Sequence, residues 1–136
     1  MGRPRSTAPT EAEFEILQIL WQRRVATVRD VQDDLIKARK IAYTSIATIM
    51  RIMVAKGMVE VSDARRPQRF RPVISENEAR KQITDTWLSR QFGGSISQLF
   101  HYVLAGRRLS AAEVRELKTL VESSGSRSRT TASTSA

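Results

Sequence analysis

Tyr43, Thr44, Ser45 and Thr48, with Arg51 about one helical turn further on, form the one cluster in this chain with an evident chemistry. Short hydroxyls and an arginine fork are the side chains that hydrogen-bond to base edges. A major groove is wide enough to admit the helix that would carry them. The same stretch holds Ile46, Ile49, Met50, Met53 and Met58 at helical spacing, an apolar stripe that must be buried. Gly57 follows as a helix stop, the residue best able to turn left-handed. Taken alone, the stretch equally describes an ordinary amphipathic surface helix; its neighbours decide between the two.

The first neighbour is charge. The net charge is +9. Between Lys37 and Arg71 stand nine basic residues (Lys37, Arg39, Lys40, Arg51, Lys56, Arg65, Arg66, Arg69, Arg71) against Glu60 and Asp63, so +7 of the +9 lies here. Such a concentration predicts a polyanionic partner, nucleic acid first and an anionic membrane second. A membrane-surface helix wants bulky apolar residues opposite its lysines, and this stretch is built differently.

Catalysis has little to stand on. His101 is the single histidine, and it falls within an apolar helical stretch. There is no cysteine, which excludes disulfides, thiolate metal sites and cysteine nucleophiles and suits a reducing cytoplasm. No Ser-His-Asp set, phosphate-cradling loop or metal-ligand spacing is visible. The expectation is a non-enzyme without cofactor or metal. The absence of an apolar leader or a long apolar run predicts a cytoplasmic protein with no membrane insertion.

The elements that must position the cluster follow in order. Residues 1–9, with Gly2-Arg3-Pro4-Arg5, read as a flexible arm; an Arg-rich strand of this kind fits a minor groove, and a plain solvated terminus reads the same. Thr10-x-x-Glu13 is a capping box opening a helix with Phe14, Leu17, Leu20 and Trp21 on one side. Thr27-x-x-Asp30 opens a second, with Val28, Val31 and Leu35 inward and Asp30, Asp33 and Asp34 outward. A short connection at Arg39-Lys40 then leads to the hydroxyl-rich helix, and the pair makes a helix-turn-helix. After Gly57 the period changes to 2: Val59 and Val61 alternate with Glu60 and Ser62, Asp63 to Pro67 turns, and Phe70 and Val73 flank a returning strand. A basic hairpin here, with Arg65 and Arg66 at its tip, is the wing of a winged helix, and the tip can reach phosphates beside the groove where a lone turn would only be solvated. Residues 10–74 are therefore expected to form a winged-helix domain.

From 75 to 122 the pattern is helical again. Ala79, Ile83, Trp87 and Phe92 run to a break at Gly93-Gly94. Ile96, Leu99, Phe100, Val103 and Leu104 follow, and Ser110-x-x-Glu113 caps a last helix with Val114, Leu117, Leu120 and Val121. These helices carry too much apolar surface to stand alone. They can fold back on the winged helix as extra core or pair with the same helices of a second chain; pairing is the expectation, which makes 75–122 a dimerisation domain. Residues 123–136, almost wholly Ser, Thr, Ala, Gly and Arg, are expected to be disordered, with Arg127 and Arg129 adding weak attraction for DNA.

The ordered set Thr10-Glu11-Ala12-Glu13, Ile19-Leu20-Trp21, Thr27 to Val31, Ala42 to Ile46, Lys56-Gly57, Phe92 to Ser95 and Leu109 to Val114 resembles the penicillinase-repressor family of BlaI and MecI type. The resemblance spans roughly residues 10–122. It implies a mainly α fold, a bacterial homodimeric transcriptional repressor, and a (pseudo)palindromic double-stranded operator. By position it implies that Tyr43, Thr44, Ser45, Thr48 and Arg51 face DNA, with Arg65, Arg66 and Arg69 on the wing. Copper-responsive relatives hold metal through carboxy-terminal cysteines, and this chain has none. In β-lactam-responsive relatives a membrane sensor protease cuts an Asn-Phe bond; the nearest position here is His101-Tyr102, which keeps an aromatic without the Asn. Two readings remain beside this one: a helical interaction module whose basic face takes an acidic protein or RNA, and an activator in place of a repressor.

Overall fold

The computed structural model describes the backbone of residues 8–135 and the side chains of residues 8–125. Its elements run α1 (Glu11–Arg23), α2 (Val28–Leu35), α3 (Tyr43–Lys56), β1 (Val59–Asp63), β2 (Arg69–Pro72), α4 (Glu76–Phe92), α5 (Ile96–Leu104) and α6 (Ala111–Ser135). The chain divides into two compact units, Met1–Ser95 and Ile96–Ala136.

In the first unit both predicted capping boxes close. Thr10 Oγ1 accepts from the Glu13 amide at 3.2 Å while the Thr10 amide donates to Glu13 Oε1 at 3.0 Å. Thr27 and Asp30 make the same reciprocal pair. Each box satisfies helix-start amides that would otherwise lack partners. α3 begins without a side-chain cap at Ala42 and ends at Gly57, whose φ of 83° is left-handed. Its Ile46, Met50 and Met53 are fully buried and meet Ile16, Leu17 and Leu20 of α1 and Val31 and Leu35 of α2 in one core. Ile49, expected in the same stripe, is half-buried at its margin.

β1 and β2 pair antiparallel, with Val59 opposite Pro72 and Val61 opposite Phe70, and the register shifts between Val61 and Asp63. The chain before α2 adds a third, one-residue rung: the Ala26 amide donates to the Phe70 carbonyl at 3.0 Å and the Phe70 amide to the Ala26 carbonyl at 2.8 Å. This rung ties the hairpin to the start of α2. Fold class is thus mainly α, a winged helix-turn-helix followed by further helices.

Three boundaries differ from the sequence expectation. α4 belongs to the first unit, so that unit ends at Ser95 and not at 74. The cause is packing: Ala79 is fully buried, Trp21 Nε1 donates to the Ile74 carbonyl at 2.9 Å, and the Arg80 guanidinium lies 5.1 Å from the Phe14 ring centroid. Trp87 and Phe92, grouped by pattern with the dimerisation helices, therefore sit in the winged-helix unit, edge to face at 5.4 Å. Of the amino-terminal arm, residues 1–7 lie outside the described residues, while Pro9 is buried. Finally, α6 continues to Ser135 through the run expected to be disordered. A helix closes its hydrogen bonds within itself, so a polar segment can extend one already nucleated without a core to rest on. The side chains of Arg127 and Arg129 lie outside those described.

In the second unit no described side chain is buried. Ile96, Leu120 and Val121 are mostly exposed, Val103, Leu104 and Val114 partly so, and Leu99, Phe100 and Leu117 are half-covered. α5 and α6 leave between them a groove of about 440 Å³ lined by Phe100, Leu104, Leu109, Val114, Leu117 and Val121. Among the described residues no helix is long and apolar enough to cross a membrane.

Candidate nucleic-acid interface

The outward face of α3 carries Tyr43, Thr44, Ser45, Thr48 and Arg51, all exposed, opposite the buried Ile46–Met50–Met53 row. The helical period alone separates the two sets. Thr48 Oγ1 donates to the Thr44 carbonyl at 2.9 Å, so its hydroxyl proton is spent within the helix. Toward a ligand Thr48 therefore offers lone pairs and a methyl group, not a donor.

The basic residues around α3 differ sharply in what already neutralises them. Lys56 gives its ammonium to both oxygens of the buried Glu13, at 2.9 and 3.1 Å. Arg39 pairs with Glu15, Arg71 with Glu60, and Lys37 with Asp34 at 3.9 Å. Arg65 forms a two-pronged pair with Asp63, both contacts at 3.1 Å, and also donates its backbone amide at 3.0 Å to the same carboxylate. That hydrogen bonding holds the Asp63 carboxyl below the usual carboxylate range, so it stays ionised and the Arg65 charge is matched at the wing. Among the described residues Lys40, Arg51, Arg66 and Arg69 have neither an ion pair nor a side-chain hydrogen bond. The wing arginines are consequently unequal: among the described residues Arg66 is unmatched, Arg69 acts on Asp63 through its charge alone, and Arg65 is engaged.

Arg51 and Arg66 face a common space. A cleft of about 450 Å³ opens between the start of α2, the outer side of α3 and the wing, lined in part by Tyr43, Ala47, Arg51, Val54, Val61, Arg66 and Phe70. Val61, expected inward by strand alternation, lines this cleft instead of the core. Two further polar residues, Arg29 and Gln68, also line it, and no spacing pattern marks either. The signal available for Arg29 was its place in a first helical turn, where a cation opposes the helix dipole and a carboxylate is the favoured residue. Among the described residues no cluster of acids and histidine is built to hold a metal ion.

The penicillinase repressor family matches the chain over residues 9–123, most of its length and both compact units. The chain belongs to that family. It is 22% identical over 113 residues to the penicillinase repressor of Bacillus licheniformis, covering 83% of this chain and 88% of the relative. It is 17% identical over 112 residues to the methicillin resistance regulatory protein MecI of Mammaliicoccus sciuri, covering 82% and 91%. The solution structure of the DNA binding domain of the repressor BlaI is similar at 20% identity and a TM-score of 0.48, covering 54% of this chain and 90% of that one. Members of the penicillinase repressor family are transcriptional repressors and not enzymes. The candidate site of this member is a helix face, a wing and the cleft between them.

His101 and Tyr102 lie on α5, exposed and edge to face at 5.3 Å. Their bond is inside a helix, so a protease would have to unwind that turn to reach it.

Proposed function

We propose that this chain, a DNA-binding transcriptional repressor of the penicillinase repressor family, binds a (pseudo)palindromic operator as a cytoplasmic homodimer. Each protomer lays α3 in a major groove, where Tyr43, Thr44, Ser45, Thr48 and Arg51 meet bases and nearby phosphates. Arg66 and Arg69 of the wing, with Arg65 once it exchanges Asp63 for a phosphate, contact the backbone alongside. The observation that carries this reading is the division of α3: a fully buried row on one side, and on the other a hydroxyl row ending in an arginine that no carboxylate among the described residues matches. An exposed, unmatched cation beside a half-apolar cleft suits a polyanion. Single-stranded RNA would call for exposed aromatics on a sheet, and Phe70 is buried, so the RNA reading has little support.

Dimerisation is proposed for Ile96, Leu99, Phe100, Val103, Leu104, Val114, Leu117, Leu120 and Val121, whose uncovered apolar surface is more than a lone helix pair tolerates in water. Trp87 and Phe92 would extend the interface from α4. Relief of repression would follow cleavage near His101-Tyr102 by a membrane sensor protease. Genome-wide footprinting tests the central claim: protected sites should share a two-fold-related sequence with half-sites spaced by about one duplex turn or a small multiple of it. Scattered protection without a shared sequence would refute it.

A further inference from the structure

The cleft beside α3 brings together cations from three separate elements: Arg29 of α2, Arg51 of α3 and Arg66 of the wing, with Gln68 also in its lining. Val28, Val54, Val61 and Phe70 supply its apolar lining, which limits water and strengthens any charge pair formed inside. The Ala26–Phe70 rung holds the wing against the start of α2, so the two cationic elements are fixed relative to each other. The capping box engages the Asp30 and Thr27 amides at the start of α2. Asp30 itself is turned to the Thr27 amide and to Arg23 at 3.7 Å. Arg29 is held only by Asp33, one helical turn on, at 3.6 Å with both side chains largely exposed. A surface pair of that kind is worth little and is readily exchanged. In a helix-turn-helix the first helix crosses the nucleic-acid backbone, and Arg29 lies in the first turn of that helix.

We propose that this cleft seats a backbone phosphate of the bound duplex, and that Arg29 and Arg66 grip it together. Arg29 is thereby a positioning residue: it fixes how deeply and at what angle α3 enters the groove, and it carries no base preference. This rests on the DNA-binding reading given above and deepens it by naming the group that occupies the cleft.

The test uses the full-length protein and two duplexes, one carrying the footprinted site and one of the same composition scrambled. Affinity is measured against potassium chloride for wild type, Arg29→Ala, Arg29→Lys, Arg66→Ala and the Arg29→Ala, Arg66→Ala double variant. Arg29→Ala should lower affinity by a similar factor on both duplexes. It should also flatten the slope of log affinity against log salt by about one unit per half-site. Arg29→Lys should restore the slope. The double variant should lose less than the sum of the single losses, because one phosphate is given up once. Thermal melts should coincide, since the Arg29 side chain is 73% exposed. An unchanged slope in Arg29→Ala, or losses that simply add, would overturn the shared seat while leaving DNA binding intact. Competition by inorganic phosphate beyond that of chloride at equal ionic strength would overturn it in favour of a free-anion site. Wild type that binds both duplexes equally would instead sink the parent reading.

Discussion

Arg51 presents five donors and a permanent charge from the outer side of α3, matched by no carboxylate among the described residues. An arginine so placed discriminates bases when it meets a guanine edge in a fork and only adds affinity when it meets a phosphate. The two roles separate on measurement. Arg51→Ala should cost about 1–3 kcal/mol on the operator if it makes the base contact, with a smaller loss on scrambled duplex. Titrations of the two duplexes check this; equal losses would reassign Arg51 to phosphate. Thr48 and Arg65 show why residue type alone does not settle a role. The first has its proton committed to Thr44, and the second has its charge matched by Asp63. Neither commitment has a sequence pattern, since a threonine bonding back one turn looks like any other threonine. Tyr43, Thr44, Ser45 and Arg51 were legible because helical period sorts them from Ile46, Met50 and Met53. Arg29 and Gln68 were not, because they reach the cleft through the Ala26–Phe70 rung, a contact between distant segments.

At the scale of elements, the capping boxes, the glycine stop and the change of period were all local signals, and each element they predicted formed. The boundary expected after Pro72 differs from the division at Ser95 because α4 attaches through non-local contacts: the buried Ala79, the Trp21–Ile74 hydrogen bond and Arg80 over Phe14. Another non-local contact orders the recognition helix. Glu13, 4% exposed, receives Lys56 from the last turn of α3 and the Thr10 amide from the start of α1. Removing one partner leaves a buried charge, whereas removing both does not. Lys56→Met should therefore destabilise the fold by about 2 kcal/mol, and Glu13→Gln with Lys56→Met should recover part of that loss. Denaturant titrations of the three proteins decide the matter, and a double variant worse than the single would count against it. Asp34 offers a test by pH. Its hydrogen bond from Arg23 pulls its pKa below the ordinary value. The folded pKa is depressed, so the stabilisation is present above the unfolded pKa of about 3.9 and fades as pH falls through the folded value. The pair is partly exposed, which limits it to under about 1 kcal/mol. Asp34→Asn should melt below wild type at neutral pH, and the two melting temperatures should converge in acid once Asp34 is protonated in the folded protein. A gap that persists in acid would mean the asparagine harms packing instead.

At the scale of the whole molecule, the proposed function gives the two compact units different tasks. The first carries α3, the wing and the cleft; the second exposes apolar side chains that the proposal covers with a second copy. A single winged helix makes few contacts, so tight binding requires two half-sites engaged at once. Under the proposed function the link between protomers would act as an effective concentration, a gain of about 100-fold or more that arises without any new contact to DNA. Control exerted on the second unit would then release the operator without a change to any residue proposed to face DNA. The proposal places that control at the bond between His101 and Tyr102, because cutting it once α5 unwinds would sever α6, which carries Val114, Leu117, Leu120 and Val121, from the first unit. Placing a foreign protease site at residues 101 to 102 and cutting the purified protein should convert a dimer to a monomer in sedimentation. Operator affinity should fall by about 100-fold, while the melting of the first unit stays the same. Cut protein that remains dimeric and binds as tightly as the intact chain would place both the tether and the control elsewhere, with α4 and its Trp87 as the next segment to test.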